Sequence, residues 1–178
     1  RLAVRNEVQL SPAFLQQLRQ VGHTLWQTVA PNGDVPHFGD TGVYKPGGAL
    51  ANVRAAAALL HLPQAKYVAD HLDPGWKPPY EGFFPHAGGD LLPRYRSLAS
   101  QAPEAPTADT VLPASGDYIM RTNWTATSDW VCLEAGPLGN RVTSHDHSHL
   151  FNLELYSRGR PILLDNCSGP YGDSPERL

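Results

Sequence analysis

The chain has 178 residues, of which 41% are hydrophobic, and a formal net charge of -3. This is enough to bury one ordinary core or two small ones. Its 14 Lys and Arg residues are outnumbered by 17 Asp and Glu residues and form no basic block, so there is no electrostatic case for nucleic acid or an anionic membrane as a partner. Two cysteines, Cys132 and Cys167, exclude a disulfide framework or a multi-cysteine zinc site.

The apolar runs of the sequence and its opening residues do not have the pattern of a membrane span or of a signal peptide. No apolar run approaches the roughly 20 residues of a membrane span, and the opening "RLAVRNEVQL" lacks the apolar core and cleavage site of a signal peptide. Because the chain opens on Arg1 without an initiator Met, we expect it to be a fragment of a longer protein.

The first third of the chain has the pattern of helices. "SPAFLQQLRQVGHTLWQTVA" opens with Ser11 as a cap and Pro12 at the first helical position, and its apolar residues recur at three- and four-residue spacing. "PNGDVPHFGDTGVYKPGG" contains three turn signals and predicts a loop. "ALANVRAAAALLHL" then predicts a second helix, and "QAKYVADHL" predicts a short third one.

The middle of the chain is rich in Pro, Gly and Ala, and the period changes to two beyond it. "DYIMRTNW", "DWVCLEAG", "HLFNLELYS" and "RPILLDN" have the pattern of antiparallel strands. Helices followed by strands indicate an α+β protein in two domains. We therefore predict helices over residues 1–72, a linker over 73–112 and an antiparallel β-sheet domain over 113–178.

Three histidines at a spacing of two, His145, His147 and His149, lie in "SHDHSH" just before a predicted strand. Residues two apart on a strand share a face, so two of these imidazoles could reach one metal ion. Asp165 ends the next strand, after a tight turn, and is placed near the start of its hairpin partner. A His and Asp set suits zinc, or iron with open positions. The alternative is a set of polar strand-edge histidines bonded to water and to Asp146.

The run "SHDHSHLFNLELYSRGRPILLDNCSG" resembles the heparinase II/III-like polysaccharide lyases. Their pattern is a His-x-His, a strand ending in Glu-Leu-Tyr, and then Gly-x-Pro-Leu-Leu-Val-Asp. The residues that fall on it are Glu154, Leu155, Tyr156, Gly159, Pro161, Leu164 and Asp165. Upstream, "APNGDVPHFGDTG", "LPASGDYIMRTNW" and "DWVCLEAGPLG" are similar to further segments of the family in the same order, so the resemblance covers nearly the whole chain.

The resemblance implies the end of an (α/α) toroid followed by an antiparallel, sandwich-like β-sheet domain, truncated at both ends, with the active site between them. By position, His145 matches the catalytic histidine. His147 and Asp165 match two ligands of a structural zinc whose third ligand would lie outside this chain. The family's Asn-bearing helix and Tyr-His pair would precede Arg1, so we expect the fragment alone to be inactive. His149 stands where relatives often carry Asp, which leaves its part in the site open.

The implied reaction is β-elimination in a uronic-acid-containing polysaccharide. It removes the C5 proton, which is weakly acidic until the neighbouring carboxylate is neutralised. A neutral imidazole, with an ordinary pKa of about 6.5, is a suitable base at physiological pH. The substrate-binding candidates are Asp40, His37 and Arg121, although Asp40 also fits a helix cap, His37 a surface loop and Arg121 a solvent-facing strand position. The partner would be an acidic polysaccharide, and the resemblance implies a periplasmic or secreted protein.

Two other classes of protein remain as alternatives. A metal-dependent cupin-like enzyme would explain the order Gly139, His145, His147, Glu154 and Gly159, but six residues separate His147 from Glu154, which is longer than the usual cupin spacing. The long helical first third is also foreign to a compact β-barrel. A non-catalytic carbohydrate-binding module is the second alternative.

Overall fold

The computed structural model describes residues 9–38, 47–78, 91–98, 105–136 and 151–165. The described helices are α1 (Pro12–Thr28), α2 (Leu50–Leu60), α3 (Pro63–Leu72) and α4 (Leu91–Ser97). The described strands are β1 (Thr110–Leu112), β2 (Asp117–Arg121), β3 (Trp130–Glu134), β4 (Asn152–Ser157) and β5 (Arg160–Leu163). The predicted α+β class is confirmed.

The chain divides into two compact units. The first contains Arg1–Gln27 and Ala49–Pro106, and the second contains Thr28–Gly48 and Thr107–Leu178. Residues 28–48, between α1 and α2 in the chain, therefore belong to the β-sheet unit. The predicted boundaries at residues 72 and 113 instead group them with the helices.

Helix α1 begins where the sequence predicts. The backbone N–H of Phe14 donates to Oγ of Ser11 over 3.2 Å, and Pro12 is the first helical residue. The hydroxyl thus satisfies one of the N–H groups that a helix start leaves without an intrahelical partner.

The buried side of α1 differs from the predicted apolar stripe. Phe14 and Val21 are exposed, whereas Gly22 and Trp26 are buried. A Cβ atom at Gly22 would lie 2.8 Å from Cδ1 of Leu62, so the missing side chain permits a close approach of α1 to the α2–α3 connection. Spacing alone does not distinguish a glycine that permits such an approach from a weak helix position.

Helices α2 and α3 bury small and branched apolar residues at three- and four-residue spacing. In α3 these are Ala65, Val68, Ala69 and Leu72. His61 caps the C-terminus of helix α2, where it adopts the left-handed conformation with a φ of 55° and donates its N–H to the carbonyl of Ala57.

Helix α4 lies inside the segment predicted as a linker. Its buried residues are Leu91, Leu92 and Tyr95, and the Tyr95 hydroxyl donates to Oδ1 of Asp70 over 2.7 Å. Part of residues 73–112 therefore packs into the first unit, which extends to Pro106. A helix of seven residues, with Pro93 in its first turn and a Pro- and Gly-rich segment before it, is too short to show a helical period in the sequence.

The described strands of the second unit form one antiparallel sheet in the order β1-β2-β3-β4-β5. Across β2, β3 and β4, one row of paired residues consists of Ile119, Cys132 and Glu154. A second row consists of Arg121, Trp130 and Tyr156. Because side chains alternate along a strand, all of these residues share one face of the sheet. We call it the covered face, since its central residues are buried.

The predicted hairpin between β4 and β5 is confirmed. Ser157 pairs with Arg160, and the two residues between them have φ angles of 50° at Arg158 and 72° at Gly159. Positive φ at both central residues is the geometry of a type I′ turn, which matches the twist of the two strands. A Cβ at Gly159 would lie 1.8 Å from the carbonyl oxygen of Ala126, so this position requires glycine.

The core of the second unit forms on the covered face. Ala30, from the segment after α1, packs with Ile119, Trp130, Cys132 and Tyr156. The rings of Trp130 and Tyr156 meet edge to face with centroids 5.4 Å apart. Burial raises the pKa of the Cys132 thiol, so it behaves as a core residue and not as a reactive nucleophile. Among the described helices, none is long and apolar enough to cross a membrane.

Candidate functional site

The described residues include three of the six residues predicted for the site. His37, Arg121 and Asp165 are among them, whereas Asp40, His145 and His147 lie outside the described residues, as does His149. The assignment of the base and of a His147–Asp165 metal pair therefore stays a prediction.

Glu154 is a buried carboxylate that receives backbone N–H groups from two separate segments. It lies on β4, on the covered face, and is 1% exposed. Its Oε1 accepts the N–H of His37 over 2.8 Å, and the N–H of Asp165 also bonds to the carboxylate. Desolvation by burial raises the pKa of Glu154, while these two N–H groups act in the opposite direction because they favour the ionised form.

The loop that reaches Glu154 is held by its own polar side chains. Oδ1 of Asn32 accepts the N–H of Asp34 over 3.1 Å, and Oδ1 of Asp34 accepts the N–H of Val35 over 3.0 Å. The other carboxylate oxygen of Asp34 lies 3.0 Å from Nε2 of His37. His37 is 8% exposed, so little of its imidazole is available to a ligand, and its contacts organise the loop.

Arg121 anchors the same segment to the sheet. Its Nη1 donates to the carbonyl of Val29 over 2.9 Å, and its Nε donates to the carbonyl of Ala108 over 3.1 Å. The guanidinium carbon lies 3.7 Å from the centroid of the Trp124 ring. Burial lowers the pKa of Arg121 to about 9, which still leaves the group charged at neutral pH. These contacts support a structural role, and substrate binding by Arg121 stays a prediction.

Asp165 follows β5, as predicted, and its carboxylate is oriented by a neighbour. Oδ2 of Asp165 accepts a hydrogen bond from Nδ2 of Asn152 over 2.6 Å. A carboxylate held by a hydrogen bond at one oxygen is suited to metal ligation through the other, since outer partners commonly fix the orientation of ligands. The described residues contain no group of three or more His, Cys, Asp or Glu that could hold a metal ion, and a zinc-ligand role for Asp165 stays a prediction.

Comparison with solved structures identifies the architecture. The chain superposes on the heparan sulfate lyase HepC from Pedobacter heparinus with a TM-score of 0.64 and 17% identity, over 98% of this chain and 23% of that one. A Heparinase III structure with methylated lysines gives a TM-score of 0.65 at 16% identity, over 99% of this chain and 24% of the other. A further Heparinase III structure gives 0.65 at 20% identity, over 93% and 24%.

The chain has a heparinase-like fold. It spans about a quarter of the length of the solved structures that it matches. No protein-family model matches the chain, and no curated protein matches it in sequence. The likeness therefore lies in the order and geometry of the elements, which persist at identities of 16–20%.

Sequence reasoning did not assign Glu154 to the site, although it recognised this residue in a motif. In the sequence, Glu154 is a carboxylate within a predicted strand, between Leu153 and Leu155, which point to the other face of the sheet. In a strand with one buried face, such a residue points either to solvent or into the core, and only the register with Cys132 decides between them.

Proposed function

We propose that this protein is part of a polysaccharide lyase that cleaves a uronic-acid-containing polysaccharide by β-elimination. The observation that carries the proposal is the heparinase-like fold over nearly the whole chain, matched to proteins named as heparan sulfate lyase and heparinase. The motif around His145 and Asp165 supports it independently, because it is present in the sequence and does not depend on the fold.

In this proposal His145 is the base that removes the C5 proton of the uronate. The C4–C5 double bond forms as the glycosidic C4–O bond breaks, and the leaving oxygen takes a proton from the tyrosine that the resemblance places before Arg1. An imidazole whose ordinary pKa is about 6.5 is largely neutral at physiological pH and accepts a proton without prior activation. The proposal also assigns a substrate contact to Asp40, which is three residues after His37 in the sequence. His37 and Arg121 hold the segment after α1 through their bonds to Asp34, Glu154 and Val29. Direct contact with the substrate is a second role that the proposal gives to both residues.

The proposal also assigns a structural zinc to His147 and Asp165, with the third ligand outside this chain. Imidazole nitrogen and carboxylate oxygen are both ordinary zinc ligands. The hydrogen bond from Asn152 to Asp165 supports the assignment, since it leaves the carboxylate with a defined orientation. The zinc would hold the segment that carries His145 and take no part in proton transfer.

The test is elimination activity of the full-length protein on heparan, hyaluronan and alginate, followed by ultraviolet absorbance of the unsaturated uronate product. We expect His145→Ala to lower kcat by at least about 100-fold, the usual contribution of a general base. The matched control is His71→Ala, which removes an exposed histidine of α3 and should leave kcat unchanged.

The outcomes separate the proposal from its alternatives. Polysaccharide binding without unsaturated product would favour a non-catalytic carbohydrate-binding module. Near-normal elimination by His145→Ala would remove His145 as the base while leaving the lyase assignment in place. The proposed partner is an acidic polysaccharide, and the resemblance favours a periplasmic or secreted location, which fractionation of the source cells would test.

A further inference from the structure

We propose that Glu154 is a positioning residue whose carboxylate joins the loop that contains His37 to the segment that contains Asp165. The two segments are separated by more than a hundred residues in the chain, yet both donate a backbone N–H to this one side chain. The inference rests on the proposed function above, because it assigns Glu154 to the geometry of the proposed site.

The contact is specific because both donors are backbone groups. A bond to the N–H of His37 fixes the main chain of the loop at one point, 2.8 Å from Oε1, whatever the side chains around it do. Asp40, the proposed substrate contact, is three residues farther along the sequence. The bond to the N–H of Asp165 fixes the main chain at the proposed zinc ligand itself. One carboxylate thus restrains a substrate-binding segment and a metal-binding segment together.

Burying the Glu154 carboxylate costs free energy unless donors satisfy its oxygens. Glu154 lies opposite Cys132 of β3 on the covered face and is 1% exposed. A buried carboxylate without donors is strongly disfavoured, and charge-assisted bonds are stronger than neutral ones. An apolar residue at this position would be better for stability if packing were the sole requirement, so the carboxylate is explained by what it holds.

A glutamine at this position separates positioning from packing. Glu154→Gln keeps the size and shape of the side chain and one carbonyl oxygen that accepts an N–H. Its amide nitrogen is a donor and cannot accept an N–H, and its carbonyl oxygen lacks the negative charge that strengthens both bonds to the carboxylate. The two backbone segments are therefore held less strongly while the side-chain volume stays the same.

The experiment uses the full-length protein and two variants, Glu154→Gln and the control Ile119→Ala. Ile119 is buried on β2, on the same face of the sheet, and neither of its two strand partners is a proposed site residue. Hydrogen–deuterium exchange is followed in peptides covering residues 32–38 and 158–165, with zinc content and the steady-state constants kcat and KM measured in parallel.

We expect Glu154→Gln to increase exchange at least tenfold in one or both of these peptides, with the rest of the sheet unchanged. We also expect kcat/KM to fall at least tenfold or zinc content to fall, beyond the effect of Ile119→Ala, even where the control has the lower melting temperature. Unchanged exchange in both peptides would overturn the shared contact. Increased exchange with kcat/KM and zinc content equal to those of the control would overturn the positioning role.

Failure of the proposed function gives a different result. If the wild-type protein forms no unsaturated product from any uronate polysaccharide, the lyase assignment fails, yet the exchange data still decide whether Glu154 holds both segments. Zinc content provides a second readout that does not depend on turnover.

Discussion

The two faces of the β-sheet differ in what they contain. The covered face carries Glu154 and Arg121, both buried and both bonded to backbone groups of the segment after α1. The opposite face, which we call the open face, presents Val111, Met120 and Leu163, each about half exposed. An antiparallel sheet usually buries apolar residues and exposes polar ones, so the covered face is unusual in its charges and the open face in its apolar character.

The difference shows what each kind of residue contributes to a site. Apolar contact is non-directional and holds a segment against a sheet without specifying its register. Hydrogen bonds from Arg121 to Val29 and from His37 to Glu154 specify which backbone atoms meet, and they do so in a buried environment where an unmade bond is costly. The polar residues of the covered face therefore determine where the 28–38 loop lies.

The largest expected effect comes from removing the guanidinium of the covered face. Arg121→Ala should lower the free energy of unfolding by about 4 kcal/mol, because it leaves two carbonyls without their donor and removes the contact with Trp124. Urea denaturation followed by tryptophan fluorescence measures this. Arg160→Ala, at an exposed position of β5, should change it by less than about 0.5 kcal/mol. Equal effects of the two variants would contradict the anchoring role of Arg121.

The next largest effect is the difference in stability lost when two neighbouring residues of β2, on opposite faces of the sheet, are replaced by alanine. Ile119 is 1% exposed and Met120 is 55% exposed. Ile119→Ala should cost about 3 kcal/mol through lost burial and the cavity left behind, whereas Met120→Ala should cost less than about 1 kcal/mol. Both values come from the same urea titration. A large loss from Met120→Ala would mean that the open face is packed in solution.

A smaller effect is expected at the turn that brings β5 alongside β4. Gly159→Ala should cost about 2 kcal/mol more than Gly47→Ala, as measured by thermal unfolding. Both glycines have positive φ, at 72° and 76°, and so share the penalty for a left-handed alanine. A Cβ at Gly159 would also collide with the carbonyl of Ala126, while nothing lies within 4 Å of one at Gly47. Similar melting temperatures would show that the turn shifts to relieve the collision.

The smallest effect concerns an exposed carboxylate at the same turn. Oδ1 of Asp129 accepts the N–H of Arg158 over 2.8 Å and the hydroxyl of Ser157 over 3.0 Å, and these bonds lower the pKa of Asp129 below its ordinary 3.8. A carboxylate whose pKa is lowered on folding stabilises the fold at pH values above its unfolded-state pKa. This stabilisation is lost as the pH falls through its folded-state pKa.

Wild type should therefore melt above Asp129→Asn at pH 7, and the gap should close as the pH falls below about 4. Differential scanning calorimetry across this pH range measures the gap. A gap that persists unchanged at the lowest pH would show that the ionised carboxylate is not its source.

The sequence by itself determined the elements whose signals are local. The Ser11 cap, the start of α1 at Pro12 and the β4–β5 hairpin depend on neighbouring residues and were confirmed. So was the α+β class, because helical and strand periods are written in consecutive residues. The resemblance to heparinase II/III-like lyases also came from short sequence segments, of which the run from His145 to Asp165 is the most specific, and the fold agrees with it.

The tertiary structure decided what depends on distant residues. The exposure of Val21, the packing of α4 and the membership of the 28–48 loop in the β-sheet unit follow from contacts that no local pattern records. The hydrogen bond between Glu154 and the backbone of His37 belongs here too, since the two residues are 117 positions apart along the chain. A strand's period shows that a residue alternates in direction, and only the register and the covering segment show which direction is buried.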